Sequence, residues 1–219
     1  MRGRVAALTG LAGLTLLAGC ATLGRGIGSG PPPEQVRLVG GDVVVAGPPG
    51  YCIDRKTLES RAQRGFAMIA SCHILSGGKR GTPVDPLLVS VAVGPNQGGD
   101  ALPSPQTLAE EAGAQLIGGE RREGFVTAHL GSGGDTLLEG GDARHWRAAF
   151  FQGTHIVVLG LYAPEDSALA DRDGGALLAR VRDRIRALSP EPAAPGEVAE
   201  AAPRRPGLFG RLFNPQDLP

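Results

Sequence analysis

The chain has 219 residues, with 22 basic and 22 acidic side chains and a formal net charge of zero. That balance excludes a strongly basic nucleic-acid binder and an acidic solvating protein, and an aromatic content of 4 % argues against platforms for stacking bases or sugars. The 35 Gly and 18 Pro point to many turns and some unfolded linker, without the Gly-X-Y period of collagen.

The first element is a secretory signal. Arg2 and Arg4 form a positive start, Val5–Leu17 is an apolar stretch, and Leu17-Ala18-Gly19-Cys20 follows. The apolar stretch is shorter than the ~20 residues that a spanning helix needs. Ending on Leu-Ala-Gly-Cys, the segment resembles the lipobox of bacterial lipoproteins. The resemblance implies cleavage before Cys20, a diacylglyceryl group on its thiol and an acylated amine. Each buried CH₂ contributes ~0.8 kcal/mol, so several chains together hold a protein stably on a membrane. Ala21 after Cys20, where the family's retention signal would place Asp, implies the periplasmic face of the outer membrane in a two-membrane cell. Loss of residues 1–19 removes Arg2 and Arg4 and leaves 20 basic and 22 acidic side chains.

Residues 20–35 then read as the lipidated cysteine and a flexible Gly/Pro leash, with Gly24, Gly26, Gly28 and Gly30 before Pro31-Pro32-Pro33. Residues 36–46 read as a strand broken at Gly40-Gly41, with the β-branched run Val43-Val44-Val45 buried. Asp54–Arg64 is a helix candidate: Asp54 suits an N-cap, Leu58 and Ala62 share a face, and Gly65 sits where a C′ glycine belongs. Phe66–Ser71 is a buried strand and Ser76–Pro83 a loop. Leu87–Val93 is a third strand.

Gly94–Pro103 is a long turn-rich loop. Ser104-Pro105 opens a helix, with Ser104 as N-cap and Pro at the first helical position. Leu108, Ala112 and Leu116 line its face, and Gly118-Gly119 ends it. Gly124–Leu130 alternates as a strand, and Leu130–Gly141 is a Gly/Asp loop. His145–Phe151 and His155–Ala163 form a hairpin about Gln152-Gly153-Thr154. Gly175–Leu188 is the strongest helix, with Leu177, Leu178, Val181, Ile185 and Leu188 in one apolar stripe and arginines covering the rest.

The chain carries three cysteines. With Cys20 taken by lipid, Cys52 and Cys72 remain in an exported protein, and a disulfide between them is favoured. A reduced buried pair, or a metal or redox pair, is the alternative, but neither C-x-x-C spacing nor a zinc-ligand set is present.

These elements give the order β-α-β-β-α-β-β-β-α over 36–189. Short connections imply an α+β domain, a mostly antiparallel sheet covered by helices. From Leu87 to Leu188 the element order resembles the PsbP-like family of small exported α/β/α domains. Its pieces here are Leu87–Val93, Pro105–Leu116, Gly124–Leu130, Trp146–Leu161, Ala163-Pro164-Glu165 and Ala176–Leu188. The resemblance implies a layered α/β/α domain and a non-enzymatic accessory or binding module. The two-cysteine first half departs from that pattern.

Residues 190–219 hold seven prolines and read as a disordered tail. Within it Arg204, Arg205 and Arg211 surround Leu208, Phe209, Leu212 and Phe213, whose i, i+4 spacing allows a short amphipathic turn. Arg205, Leu208, Phe209, Leu212 and Phe213 are therefore candidate docking residues for a partner or a membrane.

Catalytic and metal motifs are sparse, and none is assigned. His129 falls on the more polar side of its strand, and His145 and His155 in one hairpin could approach each other. Two histidines without a suitably spaced carboxylate are weak metal evidence. Ser132 with His129 and Asp135 lacks the G-x-S-x-G elbow. Gly77–Thr82 lacks the phosphate-loop pattern and reads as a basic surface turn. Asp171, Asp173 and Gly174 suggest a calcium loop, but Arg182 stands where its Glu belongs.

The sequence reading is therefore a lipid-anchored envelope protein without a cofactor beyond its lipid. Its role is binding or scaffolding, with the membrane and an envelope protein as partners and no nucleic acid. The alternatives are a small envelope hydrolase and an adaptor acting through its tail.

Overall fold

The computed structural model describes residues 30–97, 99, 101–122 and 124–191. Cys20, most of the leash and the docking residues Arg205, Leu208, Phe209, Leu212 and Phe213 lie outside the described residues. The architecture is mixed α+β, built on one large antiparallel sheet with few helices.

The domain begins with a hairpin where the sequence suggested one broken strand. β1 (Gln35–Leu38) pairs antiparallel with β2 (Val43–Ala46). Gly40 at φ 75° and Gly41 at φ 110° make the reversal, a region that only residues without Cβ enter freely. All four β2 residues are buried, which is what a β-branched run needs on both faces.

β3 (Tyr51–Ile53) pairs with β5 (Gly65–Ser71), and between them stands the first correction. Asp54–Arg64 is not a helix. Asp54 accepts the Lys56 N–H in a single 3₁₀ turn over Arg55–Thr57, and β4 (Glu59–Ser60) then pairs with β5. Leu58 and Ala62, the supposed apolar face, are both exposed. With nothing to bury them, pairing to the sheet edge outweighs an isolated short helix. Cys72 opens α1 (Cys72–Leu75), one turn between the predicted strand Phe66–Ser71 and the loop from Ser76. Its disulfide to Cys52 is formed, with Cα atoms 4.8 Å apart.

The remaining elements are β6 (Leu88–Pro95), α2 (Pro105–Ala112), β7 (Leu116–Arg122), β8 (Phe125–Leu130), β9 (His145–Gln152), β10 (His155–Tyr162) and α3 (Gly174–Leu188). Ser104 caps α2 as expected, accepting the Thr107 N–H. The helix stops early, however. Gly113 turns left-handed at φ 64°, and the Gly113 and Ala114 N–H groups bond back to Glu110 O and Ala109 O. Leu116 is therefore not on the helix, and Gly118-Gly119 does not end it. All three lie in β7, an edge strand with a bulge between Leu116 and Gly118. The run Leu-Ile-Gly-Gly-Glu-Arg-Arg has no alternation to mark it as a strand.

The sheet order is β3-β5-β6-β10-β9-β8-β7, antiparallel at every step. After β6 the chain crosses by α2 to the far edge, then returns strand by strand until β10 closes on β6. On the first face, α3 and the β1–β2 hairpin cover the larger core, which includes Val89, Val91, Phe150, Leu159, Leu178 and Ile185. On the second face, α2 packs against β7, β8 and β9 over Leu108, Val126, Ala128, Leu130 and Ala149. Among the described residues no helix is long and apolar enough to cross a membrane.

Candidate functional site

Strand alternation places Phe125, Thr127 and His129 of β8 and Trp146, Ala148 and Phe150 of β9 on the first face. α3 buries Leu177, Leu178, Val181 and Ile185 against that face. Helical geometry then leaves Gly175, Ala176, Ala179 and Arg182 looking over the β7–β8 edge. Between them opens a cleft of about 680 Å³. Phe125, Thr127 and Trp146 form its floor, the small residues of α3 one wall, and Glu120, Arg122, Arg172 and Arg182 its charged lining.

The floor is rigid for specific reasons. The Trp146 indole stacks on His129 with ring centroids 4.3 Å apart and planes 2° apart. Its Nε1–H donates to Asp171 O at 2.8 Å, and His129 Nε2 donates to Ala170 O at 2.9 Å. Its outer side lies against Gly174 and Gly175. A Cβ at Gly174 would drive into Trp146 and the Leu169 carbonyl, and one at Gly175 would stand 3.1 Å from Trp146 Cζ3. The loop before α3 is also held by Arg144, which chelates Asp142 through Nε (3.0 Å) and Nη2 (2.7 Å) and reaches Asp171 at 3.3 Å. Arg144 keeps the Asp142 carboxyl below its ordinary pKa, chiefly by donating to it.

The lining holds three guanidinium groups and one carboxylate, and each guanidinium has a carboxylate partner, Arg172 pairing with Asp173 at 3.6 Å. Arg182 sits over the Phe125 ring at 4.3 Å and also pairs with Asp183 at 2.7 Å. Arg122 pairs with Glu120 at 2.7 Å, both well exposed. Behind Arg182, Arg186 donates to Gly124 O and covers Phe150, and burial lowers its pKa first, with Arg182 adding to the effect. Such a cleft offers forked donors and an apolar floor to an anionic ligand. Arginine suits this task because its planar fork matches carboxylate and phosphate oxygens.

The histidine candidates separate. His145 and His155 do not approach each other: His155 pairs with Gln152 at the turn, whereas His145 pairs with Leu130 at the other end of β9. His145 is 3 % exposed and stacks on Tyr162, and burial followed by Arg147 lowers its pKa to about 4. His129 is committed to Ala170 and Trp146, which leaves its Nε2 unable to serve Ser132. Among the described residues no cluster of three metal-ligating side chains occurs. Gly77–Thr82 lies in an exposed loop, and Asp173 is the N-cap position of α3 rather than part of a calcium loop.

Sequence reasoning missed Arg122, Phe125, Trp146, Arg172 and Arg182 as a group. The legible hints were the chain's single Trp and the Gly174-Gly175 pair opening a long helix. Arg182 read as one of several solvated helix arginines. Comparisons with family models, curated proteins and solved structures find no match for this chain.

Proposed function

We propose that this chain is a lipid-anchored protein of the cell envelope, held through Cys20 at the periplasmic face of the outer membrane. Its folded domain is a non-enzymatic binding module, related in layout to PsbP-like domains, that presents the α3–β8 cleft to an anionic envelope ligand. One observation carries the ligand reading: Arg122, Arg172 and Arg182 converge on a cleft floored by Phe125 and Trp146. The anchor reading is carried by Leu17-Ala18-Gly19-Cys20 and the Gly/Pro leash behind it. The hydrolase alternative is weaker because His129, the imidazole stacked on Trp146, already spends its Nε2 on a backbone carbonyl.

The test is a titration of the mature chain in neutral detergent micelles. The probes are a short-chain phosphatidylglycerol, a soluble sulfated oligosaccharide and neutral counterparts of each. Binding of an anionic probe should weaken by about tenfold in the Arg122→Gln, Arg172→Gln double variant, since each loses a charge-assisted contact to the probe. The neutral counterparts should bind no more tightly than to that variant. Equal binding of charged and neutral probes, or no change in the variant, would remove the cleft as the site. Palmitate labelling that persists in Cys20→Ser would remove the anchor.

A further inference from the structure

Among the described residues, the second face of the sheet is open over β5, β6 and β10. There Phe66, Ile156 and Val158 are only half-buried and Ala92 is exposed. The register aligns these residues into one strip: Phe151 is opposite Ile156, Val158 opposite Ala92, and Ala92 opposite Phe66. Phe66, Ala92, Ile156 and Val158 line a groove of about 590 Å³ that also contains Gly94. A Cβ at Gly94 would meet only Ile156 Cγ2, at 4.0 Å, so the middle of the groove is free space.

The chain itself leads to this groove. α3 ends on the first face, and Ser189 Oγ accepts the Val44 N–H at 2.9 Å. Gln152 Nε2 then donates to Pro190 O at 3.2 Å. Glu191 shares a small hollow with Phe151, the first member of the apolar strip. The described chain thus ends beside the β9–β10 turn. We infer that the segment Arg204–Phe213 of this same chain docks in the groove, with Leu208, Phe209, Leu212 and Phe213 covering the strip.

Length permits it. Residues 192–207 separate Glu191 from Leu208, and a flexible linker of that size spans about 20 Å on average. The strip crosses from β9 to β5, about 15 Å at ~4.8 Å per strand. Tethering at that length supplies a local concentration on the order of millimolar, which favours this segment over a second copy or a free partner. The rim of the groove carries Glu59, Arg61 and Arg64, and the segment brings Arg204, Arg205 and Arg211, so Glu59 is the rim charge that the segment can pair. The inference is independent of the α3–β8 cleft.

Hydrogen exchange on the mature full chain in neutral detergent micelles tests it. The amides of 207–213 should exchange at least about tenfold more slowly than an unfolded peptide. The Phe209→Ser, Phe213→Ser pair and Ala92→Arg should each abolish that protection while the thermal transition of the domain stays in place. As a second measurement that needs no domain variant, benzoylphenylalanine at position 209 should cross-link to β5, β6 or β10 within one chain. Unfolded-peptide rates in the unaltered chain overturn the inference. So does protection that survives Ala92→Arg in a folded domain, and so do cross-links that form only between chains or only to detergent.

Discussion

Trp146 lies flat on His129, with ring centroids 4.3 Å apart, and both side chains donate to consecutive backbone carbonyls, Asp171 and Ala170. Two adjacent strands thereby hold the loop that leads into α3. The floor of the cleft and the start of the helix are one packed unit.

Gly174→Ala tests that unit. Its new methyl meets Trp146 and the Leu169 carbonyl, and neither can yield without breaking the indole's donation to Asp171. Overpacking of this kind costs typically ~1–3 kcal/mol. Urea unfolding should show a lower midpoint with an unchanged slope, and Trp146 fluorescence should shift in the folded state. An unchanged midpoint would mean that the loop moves freely and that the floor is not rigid.

The Cys52–Cys72 disulfide closes a separation of 20 residues and ties β3 to the end of β5. On the chain-entropy argument, removing it should lower stability by about 3 kcal/mol. The Cys52→Ala, Cys72→Ala double variant and the reduced chain should unfold at similar, lower denaturant concentrations. Alkylation of both cysteines without prior reduction would contradict the bridge directly.

His145 predicts an acid-sensitive window. Its folded pKa is depressed to about 4, first by burial and then by Arg147, from an ordinary value of 6.5. The unfolded chain therefore takes up this proton first. The contribution is complete above pH 6.5 and is lost as pH falls towards 4, by on the order of 3 kcal/mol in all. His145→Phe keeps a ring against Tyr162 and should flatten the stability profile between those two values. A profile for His145→Phe that still falls over the same interval would assign the loss to other groups. Asp142, also held below its ordinary pKa, acts in the same direction but below about pH 4.

Arg144 bridges Asp142 and Asp171 across two loops. Arg144→Gln should lower stability, because Asp142, only 7 % exposed, then loses its charged donors. Thermal unfolding of this variant should be depressed at pH 7 and recover towards the parent when Asp142 is also changed to Asn. No recovery in the double variant would show that the two side chains act separately.

Strong local signals were legible in the residues themselves. Strict alternation marked β8, β-branched runs marked β2 and β6, and the five-residue apolar stripe marked α3. Ser104-Pro105 marked the start of α2 because capping is chemistry within one turn. Cys52 and Cys72 were pairable by arithmetic once Cys20 was assigned to lipid. Elements whose stability comes from a neighbour were not legible. β7 has no apolar alternation and exists because β8 offers it a ladder. Residues 54–64 looked helical by capping and spacing, yet Leu58 and Ala62 have no surface to bury against, and the β5 edge claims the segment.

The fold class, the position of most strands and the long final helix were legible in the residues alone. Each rests on interactions within a few residues. Packing across the sheet sets the rest: α2 carries the chain across to the far edge, which puts β10 beside β6 and brings Arg122, Phe125, Trp146, Arg172 and Arg182 to one cleft. These residues span sixty positions and share no local pattern, since strand order is set by which faces can be buried together. The same packing separates His145 from His155, a fact that no spacing along the chain encodes.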